Sequence, residues 1–402
     1  MDRRLRVAII GDRGIPARYS GFSTLVEEIA TRMVANHGMD VTVYCRSQYF
    51  DQHPPEFRGV RLVYLAAPGG KSFESLWHSA RAILHAALRP FDVAIVLDPG
   101  NSPLTLPLLL RRMPFVIHTD GLGWQRRKWS PLQQRYYRWS EWVSARLAPH
   151  LVCDAPAMQR YYLDEYKAAS AYIPYGGEAG GPPDDSAPER CGLERGRYHL
   201  VVARLEPENN VDLIIREYKS SNARLPLVYV GGTPYESDHS RAIFAEADER
   251  VKCLGSVYDA GLLNGLYKHC RSYIHGHEVG GTNPSLIRAM AAGAACVPID
   301  VVFHREVLGS HALFFSRDAG SLAGIITSLE GDDSLTARLG REARTRAERF
   351  YRWDAVAAGY AEFVARIVEA RRAGASVSRI DADVYHPERF ADCADDAARA
   401  QR

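Results

Sequence analysis

The chain has 402 residues and carries 50 Lys and Arg against 48 Asp and Glu, a formal charge of +2. That length accommodates two domains of ordinary size, each with its own core, and the balanced charge gives no global field to recruit nucleic acid. Seven scattered cysteines, none in a C-x-x-C pair, speak against a disulfide framework or a zinc site and suggest a reducing compartment. The N-terminal apolar run, Val7 to Ile10, is too short for a signal peptide. The most apolar stretch, Leu104 to Leu110, is far shorter than the ~20 residues that span a bilayer. A soluble, cytoplasmic protein is expected.

Arg6 to Gly11 reads as a strand and Gly21 to Asn36 as a helix, with Leu25, Ile29 and Met33 at spacings of four. The loop between them holds Gly11, Gly14 and Gly21 but matches neither G-x-G-x-x-G nor a Walker loop, so nicotinamide binding and P-loop hydrolysis lose their main support. Ser20 and Gly21 leave room for a substrate over the start of the helix. Val41 to Cys45, Val60 to Leu65, Phe91 to Val96, Phe115 to Thr119 and Leu151 to Cys153 continue the series as buried strands. Apolar strands alternating with helices indicate a parallel sheet covered on both faces.

The loop IHTDGLGWQRRKW places His118 and Asp120 at a strand end, where the pair could polarise a group or accept a proton; an Asp N-cap and a surface His are the plain alternative. Trp124, Arg126, Arg127, Lys128 and Trp129 then interleave aromatics with cations, and Arg111 and Arg112 add charge upstream. A solvated helix face, an anionic-lipid patch and a nucleic-acid contact compete here. The membrane reading is favoured and nucleic acid is not expected. Gly176 to Gly192, rich in Gly and Pro and without apolar periodicity, reads as a linker.

Beyond it the alternation restarts with His199 to Ala203, Leu227 to Val230, Val251 to Leu254, Tyr273 to His275 and Cys296 to Ile299. Arg204 directly follows a strand, where its planar fork suits a diphosphate, and Glu206 could hold it in position. Gly231 and Gly232, and the run Gly255 to Tyr258 with Val257, occupy further strand-end loops. In HGHEVGGTNPSLIRAMAAGAACVPID, Gly280 and Gly281 permit close approach of a ligand, Asn283 is a good N-cap and Pro284 suits the first helical position. Free amides and the positive helix end make this a place for an anion, unless it is simply one more strand-to-helix turn. A long helix follows Arg341, interrupted around Phe350 to Trp353, and a polar tail starts near Ser376.

Arg204-Leu205-Glu206-Pro207-Glu208, the Gly231-Gly232 turn, Gly255-Ser256-Val257 and the Gly280 to Gly293 block together resemble the retaining GT-B nucleotide-sugar glycosyltransferases. AIIGDRGIPARYSGF and HTDGLGWQRRKW are similar to the bacterial rhamnosyltransferase-type subgroup that builds surface polysaccharides on lipid carriers. The resemblance spans residues 5 to 365 or so. It implies an α/β protein of GT-B architecture: two doubly wound Rossmann-like domains facing a central cleft, with a C-terminal helix crossing back to the first. The expected boundaries are 1–175 with helix 350–372 for an acceptor domain, 176–192 for a linker, 193–349 for a donor domain and 376–402 for the tail.

The resemblance further implies cofactor-free, metal-independent transfer, with retention, from a nucleotide-diphosphate sugar to a lipid-linked saccharide. Asp120, His118 and Arg204 would form the catalytic set, Arg204 neutralising the leaving diphosphate beside amides near Thr282 and Asn283. Gly14, Ser20, Gly21, Glu206, Asn209, Gly231, Gly232, Val257, Gly280, Gly281, Thr282, Asn283, Ser285 and Arg288 would line the nucleotide-sugar site.

Three departures stand out. Relatives carry two glutamates separated by seven residues, the second gripping the ribose; here Gly280 and Arg288 take their places, with Glu278 out of register. Asn209 stands where relatives have a diphosphate-binding Lys. Ser20-Gly21-Phe22-Ser23 replaces the subgroup's Gly-Gly-Phe-Glu. Either one cation has moved to Arg288 and the donor is a deoxynucleotide, for which thymidine-diphosphate rhamnose is the expectation, or the site has degenerated and the chain is the partner or scaffold of another transferase. An epimerase of the same fold would need paired carboxylates and a His facing the sugar.

Overall fold

The structure, a computed structural model, describes residues 4–17, 21–67, 71–127, 129–177, 181–232 and 248–375. Ser20, Lys128 and the tail from 376 lie outside the described residues. Two compact units divide the chain: the first runs to Trp124, resumes from Trp129 to Tyr175 and takes the chain up again at Trp353, and the second holds Gly176–Arg352 with the short run from Gln125.

The first unit is built on β1 (Arg6–Ile10), β2 (Asp40–Arg46), β3 (Glu56–Phe57), β4 (Val60–Leu65), β5 (Val93–Leu97), β6 (Phe115–His118), β7 (His150–Cys153) and β8 (Ala171–Tyr172), in the order β3-β4-β2-β1-β5-β6-β7-β8. All pair in parallel except β3, which folds back on β4 through Arg58 and Gly59, both at positive φ as a two-residue hairpin turn requires. Val7 pairs with Val41 on one side and Val93 on the other, and every side chain of β5 is buried. Central strands covered on both faces read as unbroken apolar runs for this reason, each buried Val, Ile or Leu contributing about 1.5–3 kcal/mol. The order in which strands are added across the sheet reverses between β1 and β5, and at such a switch point the flanking loops diverge and leave room for a ligand. Helix Gly21–His37 packs on helix Trp353–Arg372, and Arg32 Nε donates to Asp354 Oδ1 at 2.8 Å.

The second unit holds β9 (His199–Val202), β10 (Leu227–Val230), β11 (Val251–Cys253), β12 (Ser272–His275) and β13 (Cys296–Pro298), all parallel, in the order β11-β10-β9-β12-β13. Its switch point lies between β9 and β12, where His199 pairs with Ser272. One core of Val201, Ile214, Tyr218, Leu227, Ile274, Val297, Phe315 and Ile326 unites this sheet with helices Val211–Ser220 and Ser321–Gly331.

The glycine- and proline-rich stretch read as a linker is packed structure where it is described. Asp184 N donates to Gly261 O at 2.9 Å, and Ala187 and Pro188 are buried beside helix Ala260–His269. A Cβ on Gly265 would fall 2.0 Å from Asp184 O, so the helix carries a glycine where this stretch crosses it. Gly and Pro content reports backbone freedom in the unfolded chain, not absence of packing in the folded one.

Candidate functional site

In the second unit, the loops after β9 and β12 are stitched together by backbone-directed amides. Asn209 Nδ2 donates to Arg204 O at 2.9 Å, and Asn210, at a left-handed φ of 52°, donates from Nδ2 to Gly276 O at 2.7 Å. A Cβ at Gly276 would lie 2.4 Å from Asn209 O, which is why glycine follows β12. Asn209, expected among the nucleotide-sugar ligands, thus has its buried amide committed to the shape of the Arg204 loop. Glu206 N donates to Arg204 O at 2.8 Å. The Arg204 side chain itself stays exposed.

Beyond Gly276 the chain enters an open depression lined by His277, Glu278, Gly280, Gly281 and Asn283, with Phe303 and His304 opposite. Gly280 is at φ 145° with no atom of the described residues within 4 Å of where a Cβ would sit, so glycine there sets the backbone path and leaves space above it. Asn283 caps helix Pro284–Ala292, its Oδ1 accepting from Ser285 N at 3.1 Å and Ser285 Oγ at 2.8 Å. Thr282 is buried beside it. The positive end of a nine-residue helix therefore opens on the depression. Arg204 adds to that potential: after burial, its charge is the next cause of the fall of the His277 pKa to about 3. Glu278 is held by Arg317, whose Nε and Nη2 donate at 2.7 and 2.6 Å, and by Arg127 at 3.4 Å, so its charge is largely balanced.

Gly231 and Gly232 have a structural reason of their own. At φ 148°, a Cβ on Gly231 would fall 1.8 Å from Ala203 O, and Gly231 N donates to Gly255 O at 2.8 Å. A Cβ on Gly232 would approach Ser256 Oγ to 2.9 Å, and Val257 is half-buried next along. These glycines let three strand-end loops converge.

Arg288, expected as a relocated phosphate cation, is committed elsewhere. Nε donates to Asn264 Oδ1 at 2.6 Å, Nη2 to Ala260 O at 3.1 Å, and the guanidinium lies over Tyr267. Its charge serves the packing of helix Pro284–Ala292 on helix Ala260–His269, and burial lowers its pKa. Side-chain direction within a helix decided this, and the sequence motif does not report it.

Sequence reasoning missed a cluster of histidines, of which His277 and His304 line the depression and His275 packs behind them. His275 stacks on His277 at 4.3 Å between ring centres and meets His304 edge-on at 4.8 Å. His304 Nδ1 donates to Ile299 O at 2.7 Å, and Tyr273 Oη links His275 Nδ1 (2.9 Å) to Ser285 Oγ (3.0 Å). Burial drives all three pKa values down, that of His304 to about 4, so the rings are neutral near pH 7. The H-x-H at a strand end was the available signal.

In the first unit, His118 closes β6 and is fully buried between Phe22, edge-on at 5.4 Å, and Tyr175 at 6.1 Å. Asp120 N donates to His118 Nδ1 at 3.2 Å, which puts the imidazole proton on Nε2. That Nε2 is buried and has no hydrogen-bond partner among the described residues. Burial lowers the pKa to about 4, so the surface-His alternative fails and the ring is a hydrogen-bond donor at neutral pH, a weak base at best. Asp120 is half-buried at φ 51°, and Asp98, which follows β5, is at φ 69° with Oδ1 accepting from Gly100 N at 2.8 Å. Two non-glycine residues in left-handed backbone at neighbouring strand ends mark strain of the kind found at functional loops. Sequence reasoning passed over Asp98. Gly14 is fixed by packing, since a Cβ there would lie 2.5 Å from Cys45 Sγ, while Gly21 is exposed at the start of its helix.

The aromatic-cationic loop differs from its sequence reading. Trp124 is half-buried, donating from Nε1 to Tyr161 Oη at 3.2 Å under the Arg138 guanidinium, and Trp129 stacks on Tyr137 at 5.6 Å. Arg126 is half-buried, and Arg127 is the exposed cation of the loop's described residues. Both tryptophans have partners within the fold, because aromatic neighbours on helices Pro131–Leu147 and Pro156–Tyr166 cover them.

Two sheets with glycine-rich strand-end loops, one opening on a helix N-terminus beside an arginine, define a GT-B arrangement of Rossmann-like units. The glycosyl transferase 4-like domain family matches residues 20–176, and glycosyl transferases group 1 matches residues 189–346. The chain belongs to the GT-B glycosyltransferases. No curated protein matches the sequence. Among solved structures it is similar to a sucrose-phosphate synthase from Thermosynechococcus elongatus, with TM-score 0.76 at 18% identity over 91% of this chain and 100% of the other. Anabaena HepE in complex with UDP-glucose superposes with TM-score 0.69 at 15% identity over 91% and 100%. A glycosyltransferase from Rickettsia africae does so with TM-score 0.67 at 12% identity over 91% and 99%. No helix among the described residues is long and apolar enough to cross a membrane.

Proposed function

We propose that the chain transfers a hexose, with retention and without a metal, from a nucleotide-diphosphate sugar to a lipid-linked saccharide, and that the donor is thymidine-diphosphate rhamnose. The observation that carries the donor side is the depression at Gly280 and Gly281. A helix N-terminus and the exposed Arg204 supply positive potential there, and Glu278 is already paired. Arg204 then stabilises charge on the leaving diphosphate, with backbone amides near Thr282 and Asn283. His118, neutral with its proton on an Nε2 that has no partner among the described residues, donates to a sugar oxygen, and Asp120 holds its tautomer through the backbone. Gly21 leaves space above the first helix.

Position 280 offers no carboxylate to a ribose, and Arg288 is held by Asn264. This favours a donor with fewer ribose hydroxyls. The HepE structures hold UDP and UDP-glucose, which makes the uridine nucleotides the rival donors. The same two positions also support a second reading, a degenerate GT-B protein acting as partner of another transferase. A calorimetric panel of thymidine, uridine and guanosine diphosphates and their sugars separates these. Thymidine-diphosphate rhamnose should bind tightest and be consumed when lipid-linked acceptor is added; no heat with any nucleotide sugar would leave the scaffold reading standing.

A further inference from the structure

We infer that the first unit docks on an anionic bilayer through the outer surface of three helices on one face of its sheet, and not through the Trp124–Trp129 loop. The inference rests on the lipid-linked acceptor reading for its choice of a bilayer as occupant. Right-handed crossovers place helix Lys71–Ala87 (from β4 to β5), helix Leu106–Leu110 (β5 to β6) and helix Pro131–Leu147 (β6 to β7) on the same face, because all three connections run in one direction across the sheet. Helix Leu106–Leu110 packs on helix Lys71–Ala87, and the 3-10 turn Pro99–Leu104 touches both that helix and helix Pro131–Leu147.

A solvent-facing stripe of a helix is normally polar. On helix Pro131–Leu147 the exposed stripe is Leu132, Arg135, Trp139, Trp142 and Arg146, with Trp139 49% and Trp142 48% exposed. Along helix Lys71–Ala87 and its end the stripe is Trp77, Arg81, Leu84 and Leu88, with Trp77 53% exposed. Between them stand Leu106, Leu110, Arg111 and Arg112, all exposed. Tryptophan, leucine and arginine on one surface fit the headgroup level of a membrane, where an aromatic body is buried and cations meet lipid phosphates.

Charge complementarity selects an anionic bilayer. From Pro99 to Leu147 the sequence has eight Lys and Arg and two acids, Asp120 and Glu141. Neither acid faces this surface. Glu141 is buried and accepts from Tyr161 Oη at 2.9 Å and Tyr166 Oη at 3.1 Å, and Asp120 sits at the end of β6. Of the eight, Arg126, Arg127 and Lys128 belong to the loop and Arg138 pairs with Glu165, which leaves Arg111, Arg112, Arg135 and Arg146 as the exposed cations of this surface. Cations set among exposed indoles are attracted to phosphatidylglycerol and screened by salt.

The test is co-sedimentation of the full chain with mixed phosphatidylglycerol–phosphatidylcholine vesicles and with phosphatidylcholine alone, beside a transfer assay on detergent-solubilised lipid-linked saccharide. Wild type should bind the anionic vesicles and lose them in high salt. Trp139→Ser with Trp142→Ser, and separately Arg111→Glu with Arg112→Glu, should weaken binding ~10-fold or more with an unchanged melting midpoint. Arg127→Gln should keep it. Retained binding in both double variants overturns the surface, as does a wild type that ignores anionic vesicles, even if it transfers sugar. Vesicle binding without transfer leaves the surface standing and refutes the acceptor reading. A dimer in light scattering that dissociates in the tryptophan variant makes the patch a protein interface and also overturns the proposal.

Discussion

The strand-end loops of the two units use different backbone devices. In the second unit the unusual φ angles belong largely to glycines: Gly231 and Gly255 let strand-end loops converge, and Gly280 sets the backbone path before the Pro284 helix. In the first unit two of them belong to Asp98 and Asp120, residues that keep a side chain at some cost in strain. The difference teaches where each unit places its polar groups: backbone amides beside one exposed arginine in the second, oriented side chains around a neutral His118 in the first. Under the proposed function the former would meet the donor's diphosphate.

The sharpest way to break that contrast is Arg204→Ala, expected to lower turnover by about 10²–10³-fold while leaving the thermal midpoint in place. Near-normal kinetics would remove the arginine from the diphosphate. Next come two glycines at similar φ. Gly231→Ala should cost about 3 kcal/mol in denaturant unfolding, because its Cβ meets Ala203 O at 1.8 Å. Gly280→Ala, with open space around it, should cost about 1 kcal/mol and act mainly on donor affinity. Equal losses of stability would mean that both are architectural.

His118 tests the first unit through pH. Its pKa falls from 6.5 to about 4 on folding, so between those values the unfolded chain binds a proton that the folded protein refuses. Stability from this group is therefore full above about pH 7 and declines as pH drops toward 4, by roughly 3 kcal/mol. His118→Gln should lessen the slope of unfolding free energy across that window by about one proton's worth, the other buried histidines keeping the rest; an unchanged slope would mean that the ring is not held neutral. The smallest effect on donor binding is expected from Arg288→Met, which should cost about 1–2 kcal/mol of stability through the lost bonds to Asn264 and Ala260 and leave nucleotide affinity hardly altered. A strong fall in affinity would restore Arg288 to the phosphate site.

Much of the fold was legible. Val60–Leu65 and Leu227–Val230 are strands at the expected residues, because alternation and burial leave a direct imprint on composition. The two-residue strands Glu56–Phe57 and Ala171–Tyr172 left none, being too short for any period. Within the site, the Asn283 cap with Pro284 behind it is a local device and was readable. The partners of Arg288 and Trp124 were not, since each lies on another element.

The sequence by itself determined two parallel α/β units, their strand-end glycines and the helix that opens at Pro284, because periodicity, caps and turns act over a few residues. Only the tertiary structure decided that Arg288 serves a helix contact, that His275, His277 and His304 form one cluster, and that the exposed tryptophans are Trp77, Trp139 and Trp142 instead of Trp124 and Trp129. Those outcomes depend on which faces meet across the fold, and no local pattern encodes them.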